Sequence, residues 1–519
     1  MLKFSKLTLP VIASLALSNA SWAEESLPST NENKEQTSNL ASSEQAGYSF
    51  SRQTVIDLAQ ALAAEPMKAP QKAAPELINL DADTYRQINF QQNQAVWGEA
   101  PTQFSIQLFA PGFLYQDLVE IDAVESGRAY PIKATTDSFV TPNENIGKLI
   151  AELGKFAGLR LHYPINTDDK KDEFIVFQGA SYFRAISKGQ KYGVSARGLA
   201  VDVAQPKGEE FPMFRHFWIE RPSSSQQAIV VHALLDSKSV TGAYRFGIFP
   251  GSPTRIEVES TLFPRKDLAH VGLAPLTSMY MFNNTMDDSP SADHRAAVHN
   301  SEGLQIQTGQ GEMLWRPLTN PDNLQISAFM DESPQGFGLI QRQRQFSAYQ
   351  DLEALYQRRP SIWVKPMNDW GKGHIELVEI PSQSESNDNI VAYWQPEAPL
   401  KKGQPFEYSY RLTLTNDTPV LSGQPHIVRS AVNKSSSEPQ LVIDYEDLSV
   451  STLESLQVDA SISQGKIVDT KLVANPYQQG VRAFVTFDPA EADTAEIRLQ
   501  LKQDNKPLAE TWLYRWTGE

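Results

Sequence analysis

The chain has no cysteine among its 519 residues, which removes disulfides, thiolate metal sites and cysteine nucleophiles together. Histidine is scarce, at 8 residues, and the one close pair, His294 and His299, lacks the cysteine or acidic geometry of a persuasive zinc site. No metal or other cofactor is therefore implied. Positive charge is short as well: 46 Lys and Arg stand against 62 Asp and Glu, a net charge of -16. With no basic cluster to make a local exception, that balance argues against nucleic acid and against an electrostatic grip on anionic lipid. Past the N-terminus no stretch approaches the roughly 18 uncharged apolar residues of a transmembrane helix, so stable membrane insertion is not expected. Phosphate-binding loops, the dinucleotide glycine fingerprint, the nucleophile elbow and the zincin motif are also missing.

What is present begins with an export signal over residues 1–23. Lys3 and Lys6 form its basic start, Leu7 to Leu17 its apolar core, and Ser21, Trp22 and Ala23 its cleavage site. Residues 24–47 are rich in Ser, Asn, Gln and Glu, the composition of a disordered linker. Val55, Leu58, Ala59 and Leu62 then follow helical spacing. From about residue 100 the pattern turns to alternation and short apolar runs such as FIVF and AIVVHALL, broken by Gly, Pro, Asn and Asp turns. The spacing predicts a large antiparallel sandwich over 48–398, with a helical piece in YQDLEALYQRR at 349–359. Pro, Gly and Lys interrupt the pattern at 397–406. The remaining short strands, 402–519, read as an immunoglobulin-like sandwich closing on ETWLYRWTGE.

Residues 361–395, SIWVKPMNDWGKGHIELVEIPSQSESNDNIVAYWQ, concentrate three tryptophans and several carboxylates around a polar loop. Aromatic faces can cover the apolar faces of sugar rings, and paired carboxylates can run glycoside hydrolysis; equally, Trp363, Trp370 and Trp394 can be core and rim residues of a sheet. Asp293, Glu302, Asp369, Glu379, Glu385 and Asp388 all lie near glycine or aromatic turns, and spacing alone does not choose among them.

The strings FQGASYFRAI (177–186), YGVSARGLAVD (192–202), LLDSKSVTGAYRF (234–246) and RKDLAHVGLAPLTSM (265–279) resemble the osmoregulated periplasmic glucan biosynthesis proteins G and D. The likeness runs on through GEMLWRPLTNP and SPQGFGLIQRQRQFSAYQDLEALYQRRPSIWVKP to DNIVAYWQPE. It implies an all-β periplasmic protein, a large sandwich like that of galactose mutarotase followed by an immunoglobulin-like one. The absence of an Arg-Arg pair before the apolar core points to the G type.

Function follows from the same resemblance. Family members act in making β-1,2-linked glucan; some are similar to inverting β-1,2-glucanases and others rearrange glucan by transglycosylation. The family's general acid matches Asp388. Its base matches position 300 of His299-Asn300-Ser301-Glu302-Gly303, where an amide replaces the carboxylate and cannot accept a proton near neutrality. Tyr356, Arg359 and Trp370 match cleft positions and are expected, with Glu385 and Glu302, to bind substrate, while Glu302, Asp293 or Glu385 are the acids left to act through water. Two readings follow. The chain binds and remodels β-1,2-glucan with weakened hydrolysis, or it is a non-catalytic module holding glucan beside the inner-membrane glucan synthase.

Overall fold

The computed structural model describes residues 47–286, 293–417, 424–434, 438–448 and 450–518. The expected signal at 1–23 and linker at 24–47 lie outside these residues, Gly47 apart. Among the described residues strands dominate, and α-helix is confined to Arg52–Ala63, Glu144–Leu153 and the short Pro75–Ile78 and Ala82–Arg86. The protein is all-β, as its alternation predicts.

A sixteen-stranded and a ten-stranded sheet build the larger part. Alternation along each strand decides what faces the core. In Tyr182–Ala185, Phe183 and Ala185 are buried between the sheets while Tyr182 and Arg184 project from the other face. Phe177 and Phe183 of the ten-stranded sheet meet Phe217 and Phe246 of the sixteen-stranded one, with ring centroids 5.2 to 5.6 Å apart. The helix Arg52–Ala63 forms where the spacing places it. Its buried Val55 and Ala59 pack on Trp218, Ala243 and Phe263, behind the larger sheet.

No helix forms over 349–359. Asp351 takes the backbone N–H groups of Glu353 and Ala354 at 2.9 and 2.7 Å, and Leu355 adopts a left-handed φ of 49°, so only a single 3-10 turn, Tyr356–Arg358, remains. Side-chain capping of the local backbone and a left-handed residue defeat the helical spacing.

The smaller sandwich is hydrogen-bonded to the larger. Thr511–Thr517 runs parallel to Met313–Pro317, with Trp512 opposite Trp315, so one sheet continues through both. A four-stranded sheet, ordered His426–Asn433, Gln440–Glu446, Gly480–Asp488 and Lys466–Asn475, closes it over Ile443, Tyr445, Val485 and Trp512. Phe406–Thr415 belongs instead to the middle of the large sheet, between Thr254–Pro264 and Ser361–Pro366. A division ahead of residue 402 therefore cuts one strand short of where the layers part. Alternation in EYSYRLTLT reveals a strand, not the sheet it joins.

Candidate functional site

Four neighbouring strands of the ten-stranded sheet, Ile390–Pro396, Val271–Ser278, Ser195–Arg197 and Tyr182–Ala185, carry Thr277, Ser195, Arg197, Tyr182 and Arg184 on the face away from the core, beside an apolar cluster of Val391, Tyr393, Ala200 and Val203. Residues 381–389 lead into the first of them. Asn389 fixes the end of that turn: it is buried, accepts the Tyr280 N–H at 2.8 Å, and donates to the carbonyls of Tyr280 and Ile380 at 2.8 and 3.2 Å. Asp388 stands next to this clamp with its side chain 16 % exposed and Oδ2 3.7 Å from Arg184 Nη2. Burial pushes its carboxyl above the ordinary aspartate range; the cations Arg184 and Arg197 pull the other way without cancelling that effect. Retaining a proton to higher pH than a solvated aspartate is what a general acid requires.

The two arginines are themselves held. Arg184 Nε donates to Ser195 Oγ at 2.5 Å, and Arg197 pairs with Glu209 while its guanidinium lies 4.8 Å over the Tyr182 ring. Farther along the same face Glu376 accepts from His270 at 3.1 Å, from His374 at 3.2 Å and from the Tyr393 hydroxyl. Burial alone would raise that carboxyl, but these three donors hold it down to about 2.

Arg295 gathers carboxylates from three separate loops, reaching Asp293 at 2.8 Å, Asp351 at 2.9 Å and Glu385 at 2.8 Å. The Arg295 hydrogen bonds pull Asp293 down to about 2. Glu385 also accepts the Tyr356 hydroxyl at 3.3 Å, and Arg359 lies 5.6 Å over the Tyr356 ring. Arg359 passes so close to Gly193 that a Cβ there would sit 2.9 Å from its own. Burial lowers the Arg359 pKa, and its Nε is buried without a hydrogen-bond partner among the described residues.

Asn300 enters through the backbone. Its N–H donates to the Met279 carbonyl at 2.8 Å, one residue from the Tyr280 backbone that Asn389 clamps. His299, before it, is structural: it stacks on Tyr280, bonds Gln341 through Nδ1 at 2.9 Å, and is lowered to about 4 by burial. Glu302 accepts the N–H groups of Arg342 and Gln343, each at 3.2 Å, and burial raises its carboxyl.

The family model described as periplasmic glucan biosynthesis protein, MdoG, matches residues 50–516. The chain belongs to this family. A relative in Shewanella oneidensis, glucans biosynthesis protein G 2, is 59 % identical over 479 residues, covering 92 % of this chain and 90 % of that one. Glucans biosynthesis protein G of Vibrio cholerae is 45 % identical over 483 residues, covering 90 % and 87 %. A Paenibacillus xanthan lyase structure aligns with a TM-score of 0.23 and 12 % identity over 76 % of this chain and 32 % of that one, too low to bear on the site. The resemblance carried by the quoted strings is thereby borne out. The protein is periplasmic and acts in periplasmic glucan biosynthesis. No helix among the described residues is long and apolar enough to cross a membrane.

Of the residues singled out in this MdoG-family sequence, Glu385, Tyr356 and Arg359 gather beside Arg295, Asp388 sits by Arg184, and Asn300 is bonded through its backbone to Met279. Glu302 is two residues from Asn300 but lines a separate cavity of about 280 Å³ against the smaller sandwich, with Tyr349 and Arg429. Trp370 is packed elsewhere, buried against Trp394, Tyr408 and Tyr410, at the edge of a groove of about 1200 Å³ that Asp388 does not line. Trp363 and Trp394 are buried too, so the tryptophans of 361–395 are sheet core and rim. Glu379 is tied to Arg316 and Thr319, and Asp369 to Ser333 and the Gly371 N–H. The residues that sequence reasoning missed are Arg184, Arg197, Asn389 and Arg295. The first two sit inside FQGASYFRAI and YGVSARGLAVD, strings that carried the resemblance without assigning them a role.

Proposed function

We propose that this protein binds β-1,2-linked glucan along the outward face of its ten-stranded sheet and remodels it slowly, with Asp388 as the proton donor to the departing glycosidic oxygen. The observation that carries this reading is the Asp388 carboxyl itself, pushed upward by burial and set beside Arg184, with its neighbour Asn389 bonded to Tyr280, next to the Met279 carbonyl that takes the Asn300 N–H. The Tyr356–Glu385 pair supplies a donor and an acceptor for sugar hydroxyls.

In an inverting scheme the leaving oxygen takes the Asp388 proton while a carboxylate removes one from the attacking water. Asn300 cannot serve as that acceptor. Asp293 is a poor substitute, because a carboxyl lowered to about 2 by Arg295 is a weak base. Glu302 is more basic, since burial raises its carboxyl, but it lines the separate cavity and already accepts the N–H groups of Arg342 and Gln343. Cleavage by water is thus slow, and a bound chain is held longer than it is cut. Asn300 also favours the second reading, a non-catalytic module that presents glucan beside the inner-membrane synthase.

The two readings separate in one experiment. Linear β-1,2-glucan is incubated with wild type and Asn300→Asp, and chain length is followed. Remodelling predicts a slow change with wild type and hydrolysis faster by roughly a hundred- to ten-thousandfold with the variant. Binding without any change of length in wild type leaves the holding role alone, and no binding by either protein sinks both.

A further inference from the structure

The face of the sixteen-stranded sheet that points away from the core, on the far side of the sandwich from Asp388, carries the open groove of about 1200 Å³. Its floor is three adjacent strands, on which Arg255, Thr413 and Trp363 stand side by side in register. Their chain neighbours Ile256, Leu412, Leu414 and Val364 turn inward to the core. The Trp363 ring lies across Gly336 and Gly338 of the next strand, where added Cβ atoms would approach it to 2.5 and 3.0 Å. Those glycines sink the indole into the sheet and leave a shallow trough above it. Trp370 stands in one wall, its buried Nε1 without a hydrogen-bond partner among the described residues; His426 and Asp447 of the smaller sandwich stand in the other.

We propose that this groove is a second glucan-binding site, one that anchors a chain whose other part lies on the Asp388 face. The inference rests on the reading that glucan is the ligand. Charge argues for a neutral occupant, because Arg255, Lys365 and Arg411 in the lining are balanced by Asp369, Asp417 and Asp447. Arg411 is already held by Glu257 at 2.7 Å and Asp369 by Ser333 at 2.7 Å, which leaves the exposed Arg255 and Lys365 as the donors turned to solvent. Together with the amides of Gln307, Gln335 and Asn368 and the carboxylates of Asp417 and Asp447 they offer both donors and acceptors to sugar hydroxyl and ring oxygens. The volume exceeds the about 300 to 1,000 Å³ that holds a drug-sized ligand, so the groove takes an oligomer. Once one segment of a long chain is seated, a second site raises the local concentration of the rest and tightens binding without any new contact at Asp388.

The test is titration calorimetry of the full chain with a short linear β-1,2-gluco-oligosaccharide. Wild type is compared with Arg184→Ala on the Asp388 face and with the groove variants Lys365→Ala/Arg255→Ala and Thr413→Trp, the last filling the trough. Thermal unfolding confirms that each variant is folded. Two oligosaccharides per chain are expected in wild type, and one in each variant. A single site lost only in Arg184→Ala overturns the groove and leaves the proposed function standing. A single site lost only in the groove variants leaves the groove and overturns the Asp388 face as the binding surface. No binding by any protein overturns both, and a groove variant that changes oligomeric state instead of stoichiometry shows the groove to be a protein contact and overturns it.

Discussion

Asp388 combines a carboxyl pKa raised by burial with a fixed position beside the Asn389 clamp. A carboxyl whose folded pKa is raised contributes most to stability below its unfolded value of about 3.9 and loses that contribution as pH rises through the folded value. At neutral pH the charged form is the penalised one. Asp388→Asn is therefore expected to leave the melting temperature at pH 7 unchanged or higher while glucan remodelling disappears; a marked fall in melting temperature would make the residue structural. Asn300→Asp places a carboxylate where the amide now stands, and the expected gain in hydrolysis should fade as pH falls through the new carboxylate's pKa, checked by a pH-rate profile. Position 388 was legible through DNIV and the family resemblance. Arg184 was not, because an arginine alternating with buried residues on a strand reads as an ordinary solvent-facing position.

At the scale of elements, the loops carrying Asp293, Asp351 and Glu385 converge on Arg295, which meets all three carboxylates. Charge-assisted hydrogen bonds of this kind are worth about 1.5 to 3 kcal/mol. Arg295→Ala should lower unfolding stability by about 2 kcal/mol in a denaturant titration and speed amide exchange in residues 351–359 and 383–388. The Asp293 share of this has an acid limit. With its folded pKa lowered to about 2, its contribution is present above about pH 4 and drains away as pH falls toward 2. Wild type should lose that increment over this window, and Arg295→Ala should not. Helix Arg52–Ala63 was readable from its apolar spacing, whereas 349–359 was misread because the Asp351 bonds and the left-handed Leu355 act against the spacing. Periodicity reports which face is apolar and says nothing of a backbone captured by its own side chains.

Across the whole molecule the two sandwiches share a sheet and a buried ion pair. Arg342 meets Glu510 at 2.7 Å, lies 3.4 Å over the Trp315 ring, and Glu510 also accepts from Gln305 at 3.0 Å and from the Ile427 N–H at 3.2 Å. Arg342→Met strands a buried carboxylate and should cost about 3 to 5 kcal/mol, with both sandwiches unfolding in one transition by calorimetry. The all-β class and the two-sandwich order were legible from alternation and turn spacing. The joint was not, since pairing of Thr511–Thr517 with Met313–Pro317 links residues about 200 apart and leaves no local mark in sequence. What this frame does with glucan is decided most directly by incubating linear β-1,2-glucan with wild type and with folded Asp388→Asn and resolving the products by chain length. The account predicts slow redistribution of lengths by wild type and none by the variant; redistribution by Asp388→Asn at the wild-type rate would contradict it.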